Sequence, residues 1–266
     1  MKKRCTIFCC LLLTLGGLLS IPGIASAQPA GTTNFYNNIK TYNLSNLWKG
    51  DQLRLLNLKR SESFPEPLGV LGKNYKRFYI HYTSVAKDAK NPYRYLVQGK
   101  TRIGNQIRTF SGSITLISAG IFKQSDNNPY APEPYAGYKR GSLVSRLVIN
   151  ENKATPGSGS ISGELTTSFC INAQNQLFYD TLDFGDEGYG NNQFKGTWIA
   201  YGTKSPQNLQ FGDLTIMDSK FSDLDGITVP HEYEKYGWQS FVAAISTDVS
   251  QASKSAIAEE KRQWWK

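Results

Sequence analysis

The sequence predicts a mainly β protein, a strongly curved antiparallel sheet or barrel that carries a C-terminal amphipathic helix. Three observations predict it. Apolar and polar residues alternate with a period of two in segment after segment between Arg77 and Tyr201, as in half-buried strands. A glycine sits between two large apolar residues on one strand face three times, in Phe110-Ser111-Gly112-Ser113-Ile114, Ile161-Ser162-Gly163-Glu164-Leu165 and Phe194-Lys195-Gly196-Thr197-Trp198. From Trp238 onward the period becomes helical.

The chain begins with the three regions of an export signal: basic Lys2, Lys3 and Arg4, an apolar run from Cys5 to Leu19, and the small-residue site Ala25-Ser26-Ala27. The run is shorter than the roughly 20 residues that span a hydrocarbon core, and Pro22-Gly23 breaks it, so residues 1–27 read as a removed signal peptide. Three of the four cysteines lie within it. The mature chain keeps Cys170 alone, cannot form an internal disulfide, and must be stabilised by a packed core. The formal charge of +9 falls to +6 without the signal's three basic residues. No run of five or more basic residues remains, which argues against nucleic acid, and no later apolar stretch reaches transmembrane length.

Residues 28–43 read as a flexible, polar lead-in, and residues 44–266 as one barrel-like domain. Leu44 to Lys59 carries Leu47, Trp48, Leu53, Leu55, Leu56 and Leu58 and is expected to cover an open edge or end of the sheet. Phe64-Pro65-Glu66-Pro67-Leu68-Gly69 must be extended or turned, because proline restricts itself and its predecessor.

Phe78, Ile80, Tyr82 and Ser84 share one face of the first long strand, with Tyr79, His81, Thr83 and Val85 on the other. Tyr93, Tyr95, Val97, Gly99 and Thr101 share a face of the second, and Gly104-Asn105 predicts a tight hairpin into a third over Gln106 to Ser118. In that third strand Ile107 and Thr109 are out of phase with Phe110, Gly112, Ile114 and Leu116, which predicts a bulge near Thr109 and Phe110. Further strands are expected at Leu143 to Asn150, Ser160 to Asn172, Gln176 to Leu182, Gln193 to Tyr201 and Asn208 to Met217. Glycine in a strand interior costs roughly 1 kcal/mol or less, so its reuse at matching places points to a bend that closes the sheet. Trp238, Phe241, Val242, Ile245, Val249, Ala252 and Ala256 predict a helix over about 238–265, docked across the sheet or plugging the barrel.

Candidate chemistry is sparse. With only His81 and His231 present and no G-x-S-x-G elbow, no catalytic or metal-binding constellation is predicted, and no cofactor. Cys170, opposite in phase to Phe169, is expected to be partly exposed. The acidic stretch from Asp180 to Glu187 is the most suggestive polar cluster. Asp183, Asp186 and Glu187 suit calcium or an acid/base pair on a glycan, and equally a turn with solvated acids. Tyr130, Tyr135 and Tyr138 lie on the proline-rich loop from Ser125 to Arg140, where rigid amphipathic rings either bind sugars or proteins or pack over the barrel mouth. Trp198 on its glycine-bearing strand and His231 after Pro230 complete the candidate ligand-binding set.

The stretches Phe64 to Gly69, Tyr75 to Tyr82, Tyr95 to Thr101, Phe110-Ser111-Gly112 and Gly188 to Phe194 resemble those of an uncharacterised family of exported bacterial β-domain proteins. That resemblance implies a secreted β domain and carries over no activity or catalytic residue. In outline, the curved sheet with Gly196-Thr197-Trp198 and a C-terminal helix is similar to calycin barrels such as lipocalins, although their Gly-x-Trp lies in the first strand and here it comes late.

The function these features lead one to expect is that of an exported, non-enzymatic barrel-like protein, periplasmic or secreted, that binds an apolar small molecule, a glycan or an envelope protein. A hydrolase using carboxylates of the Asp180 to Glu187 stretch and a structural accessory component of the envelope are the alternatives.

Overall fold

The computed structural model describes residues 28–123, 135, 137–223, 226–245 and 253–266. In chain order the elements are β1 (Thr32–Asn34), α1 (Tyr36–Ile39), α2 (Ser45–Trp48), β2 (Gln52–Leu55), β3 (Arg60–Ser63), β4 (Leu68–Leu71), β5 (Lys76–Lys87), β6 (Arg94–Ile103), β7 (Gln106–Phe122) and β8 (Tyr138–Glu151). There follow β9 (Gly159–Asn172), β10 (Leu177–Tyr179), β11 (Asn191–Ala200), β12 (Gln207–Asp213), β13 (Ser222–Asp223), β14 (Gly226–Ile227), α3 (His231–Glu234), α4 (Gln239–Ala244) and α5 (Lys254–Glu260).

Ten strands form one antiparallel sheet, in which β1 and β10 are side branches on β7 and β9. The other eight close into a ring, β4-β5-β6-β7-β8-β9-β11-β12 and back to β4. Closure gives each ring strand a partner on both sides, although β4 covers only Lys76 to Phe78 of β5 and leaves the rest of that edge without a strand. The ring is not a regular barrel, since β4 has 4 residues and β7 has 17. The β4–β5, β6–β7, β8–β9 and β11–β12 hairpins lie at one end, here the lower one.

Inward positions follow the alternation in the sequence: Tyr95 and Val97 on β6, Ile161, Leu165, Phe169 and Ile171 on β9, and Phe194 and Trp198 on β11 all join one core. Gly163 and Gly196 face each other across β9 and β11, and Phe194 lies over them. A β-carbon on Gly163 would stand 2.5 Å from the Gly196 Cα, so glycine here permits a close approach of two backbones.

Two phase expectations are corrected. The β6–β7 register runs unbroken through Thr109 and Phe110, so there is no bulge there. Ile107 points outward and is 40% exposed, and the register shift of β7 falls between Leu116 and Ser118. A second shift, between Tyr82 and Ser84 on β5, moves Val85 onto the inner face opposite Val97.

Residues 28–43 belong to the fold. β1 pairs with β7, Ile39 on α1 is fully buried, and Leu44 and Leu47 enter the upper end of the ring. Burial of such side chains contributes about 1.5–3 kcal/mol each. This N-terminal segment is therefore the plug. The C-terminal helical segment, in its described pieces α4 and α5, packs on the outside over β5 and β6.

Candidate functional site

A cleft with about 30 Å³ of free volume opens on the flank of the ring, between Trp48-Lys49-Gly50, Phe64-Pro65-Glu66-Pro67, and His81 with Tyr82 of β5. The two prolines hold the β3–β4 connection extended, which lays Glu66 against the outer face of β5. There Glu66 Oε1 lies 2.8 Å from His81 Nδ1. The imidazole is held on its flat side as well, by Trp265, with ring centroids 3.9 Å apart. Phe64, on the cleft wall, is set edge-on against Tyr179.

Tyr82 points inward from the cleft, and its buried hydroxyl has no hydrogen-bond partner. Burial first, and the nearby charge of Asp213 second, push its pKa far up, so it stays a neutral phenol. Asp213 closes β12 and accepts from Tyr179 Oη at 2.9 Å and Asn192 Nδ2 at 2.6 Å. Burial outweighs those two bonds and raises its carboxyl to about 7, with Glu66 adding to the rise. Asn192 adopts φ +48° and donates to the Leu47 carbonyl as well. Trp48 Nε1 donates to Thr167 Oγ1 at 3.0 Å, and Thr167 donates to Asn192 Oδ1 at 2.8 Å. A continuous hydrogen-bonded chain thus runs behind the cleft from the plug to the wall of the ring.

The cleft offers a carboxylate, an imidazole and an ammonium group from Lys49 beside aromatic and proline surfaces. Among the described residues that line it there is no serine, threonine or cysteine. Among the described residues no group of three or more His, Cys, Asp or Glu side chains is placed to hold a metal ion. The arrangement is suited to hydrogen-bonding a small hydroxylated group that also has an apolar face.

The residues singled out from sequence do not meet in one place. Tyr130 lies outside the described residues. Tyr135 is exposed and touches Tyr138, which covers Leu56, Cys170 and Leu182 on the outside of β8 and β9. Cys170, expected to be partly exposed, is fully buried under that cluster, and burial raises its thiol pKa strongly. Asp183 joins Asp180 on one guanidinium: Arg140 Nε lies 2.7 Å from Asp180 Oδ2, and Nη2 lies 2.5 Å from Asp183 Oδ2. Two carboxylates on one cation form a buried ionic knot rather than a pair facing across a groove. Asp186 and Glu187 are exposed in the adjoining turn. Trp198 is inside the lower end, with Nε1 3.2 Å from Glu151 Oε2, and His231 is exposed at the start of α3.

Glu66, Tyr82, Asn192 and Asp213 were not singled out by sequence. The available signal was Glu66 between two prolines, a carboxylate on a stiff segment next to a strand that carries one of only two histidines.

With this geometry in hand, comparison with protein-family models, curated proteins and solved structures gives no match. The site therefore has to be read from its own chemistry.

Proposed function

We propose that the chain is an exported, non-enzymatic binding protein that presents the Glu66 cleft to a hydroxyl-rich ligand, a terminal sugar ring of an envelope glycan. The observation that carries the reading is the Glu66–His81 pair at 2.8 Å on the rim of a cleft walled by Phe64, Pro65 and Pro67. A carboxylate beside an imidazole addresses neighbouring hydroxyls, and the apolar walls suit the C–H face of a sugar.

An apolar ligand inside the ring is the less supported version, because Leu44, Leu47 and Trp48 occupy the upper interior. Export rests on the signal-like residues 1–27, and the resemblance to exported bacterial β-domain proteins is proposed with it. With about 30 Å³ of free volume the cleft takes no more than the edge of one ring, so affinity for a single sugar is expected near the millimolar range, about −4 kcal/mol.

The test is titration of the mature protein with a panel of hexoses, amino sugars and uronic acids, followed by tryptophan and amide NMR shifts. A responding sugar should shift signals of Trp48 and His81, and Glu66→Gln should weaken it about tenfold by removing a charged hydrogen-bond acceptor. If no sugar perturbs those signals at about 100 mM, a hundredfold above the expected constant, the proposal fails.

A further inference from the structure

We propose a second site, at the lower end of the ring, that binds a small oxyanion (a phosphate or carboxylate group) on Arg108. Among the described residues four arginines are buried: Arg77, Arg102, Arg108 and Arg140. Three of them hold carboxylates, Arg77 with Glu260, Arg102 with Glu259, and Arg140 with Asp180 and Asp183. Arg108 holds none. It faces inward on β7, is 5% exposed, and leaves Nε and Nη1 without a hydrogen-bond partner. Only Nη2 is engaged, by the amide oxygen of Gln106.

A buried guanidinium with two free donor nitrogens is costly unless something supplies acceptors. Glu151 does not supply them. It faces inward on β8, opposite Phe110, and its oxygens already accept from Thr101 Oγ1 at 2.5 Å, Gly159 N at 2.7 Å and Trp198 Nε1 at 3.2 Å. Drawing it to Arg108 would break those bonds. What Arg108 lacks is acceptor atoms in a planar pair, which an oxyanion provides.

Two features make room for such a group. Gln106 is exposed, so its amide can swing into solvent and yield Nη2. Gly157, at φ +69° in the β8–β9 turn, keeps the space open: a β-carbon there would stand 3.1 Å from Nη2 and 3.5 Å from the Gln106 amide oxygen. With Gln106 displaced, the Nη1–Nη2 edge becomes a two-pronged donor for one phosphate or carboxylate. This site lies at the opposite end of the ring from the plug and does not depend on the sugar reading.

The experiment is thermal unfolding and calorimetric titration of the mature protein with inorganic phosphate and, separately, acetate, against chloride at equal ionic strength. Phosphate or acetate should raise the melting temperature of the native protein and leave that of Arg108→Met at its chloride value. Gln106→Ala, which removes the competing amide, should bind the same anion more tightly. Arg108→Lys keeps the charge and loses the fork, should weaken binding about tenfold, and serves if the methionine variant does not fold. The response of phosphate against acetate identifies the oxyanion class. Equal anion effects in native protein and the Arg108 variants, or no effect of either anion on the native protein, would overturn the proposal.

Discussion

Trp265 lies flat on the imidazole of His81, its plane 9° from parallel, so the last residues of the chain support one wall of the Glu66 cleft. Just before it, Trp264 meets the edge of Tyr79, over whose ring the Arg102 guanidinium sits at 3.8 Å. Trp264 is 6% exposed and Trp265 is half-buried. Trp264→Ala is expected to cost about 3 kcal/mol as a buried large-to-small change, and Trp265→Ala about 1 kcal/mol as the loss of a ring stack. Urea unfolding measures both. A larger loss for Trp265 than for Trp264 would contradict this picture of the tail.

Asp213 makes stability depend on pH in a direction unusual for a carboxylate. Its pKa rises from 3.8 unfolded to about 7 folded, so between those values the folded state holds the extra proton. Stability therefore falls as pH rises from about 4 to about 7 and is level beyond, an effect on the order of 4 kcal/mol for a shift of this size. Asp213→Asn keeps an oxygen for Tyr179 and Asn192 and cannot ionise. Denaturation midpoints across that range should flatten in the variant, and an unchanged slope would reassign the effect to another group.

The sequence made the walls of the ring legible and left its contents obscure, for physical reasons. Alternation in β6, in β9 and in β11 from Phe194 onward is long and regular, and each inward apolar side chain joins the same core, so local pattern and tertiary burial agree. Bulges obey no such pattern: the shift after Tyr82 depends on pairing with β6, and that of β7 on pairing with β8. The polar lead-in looked free because its Asn and Thr side chains are hydrophilic, yet it docks by burying Ile39 fully and by packing Phe35, Tyr36 and Tyr42 against the core. The candidate cleft was harder still. Glu66 and His81 are 15 residues apart in sequence, and Asn192 and Asp213 belong to strands that reach the cleft only through ring closure.

The acidic stretch illustrates the same limit from the opposite side. Asp180 and Asp183 looked available for chemistry, but Arg140, 40 and 43 positions away, takes both. Burial raises the Asp180 carboxyl pKa in spite of the cation, so the knot carries a large desolvation cost that only its full set of bonds offsets. Arg140→Ala should then lose about 3–5 kcal/mol, while Asp183→Asn, on the half-exposed side, should lose about 1 kcal/mol. Chemical denaturation of the two variants gives the comparison. Near-equal losses would mean that the knot is not organised around the buried Asp180 side.

The glycine pair tests ring closure itself. Judged by propensity alone, Gly163→Ala should stabilise β9 slightly, by less than about 1 kcal/mol. Judged by geometry, the new methyl would lie 2.5 Å from Gly196 Cα and 2.7 Å from Phe194 Cζ, and neither backbone nor a ring packed among Gly163, Gly196 and Phe211 can yield cheaply. The strands would have to part, at an expected cost of about 2–3 kcal/mol. The two arguments differ in sign, which makes the measurement decisive. Since both glycines occupy one contact, Gly163→Ala with Gly196→Ala should cost more than the sum of the two single changes. An alanine at 163 that leaves the urea midpoint unchanged or higher would show that β9 and β11 do not need this close approach, and that the curvature of the ring has another source.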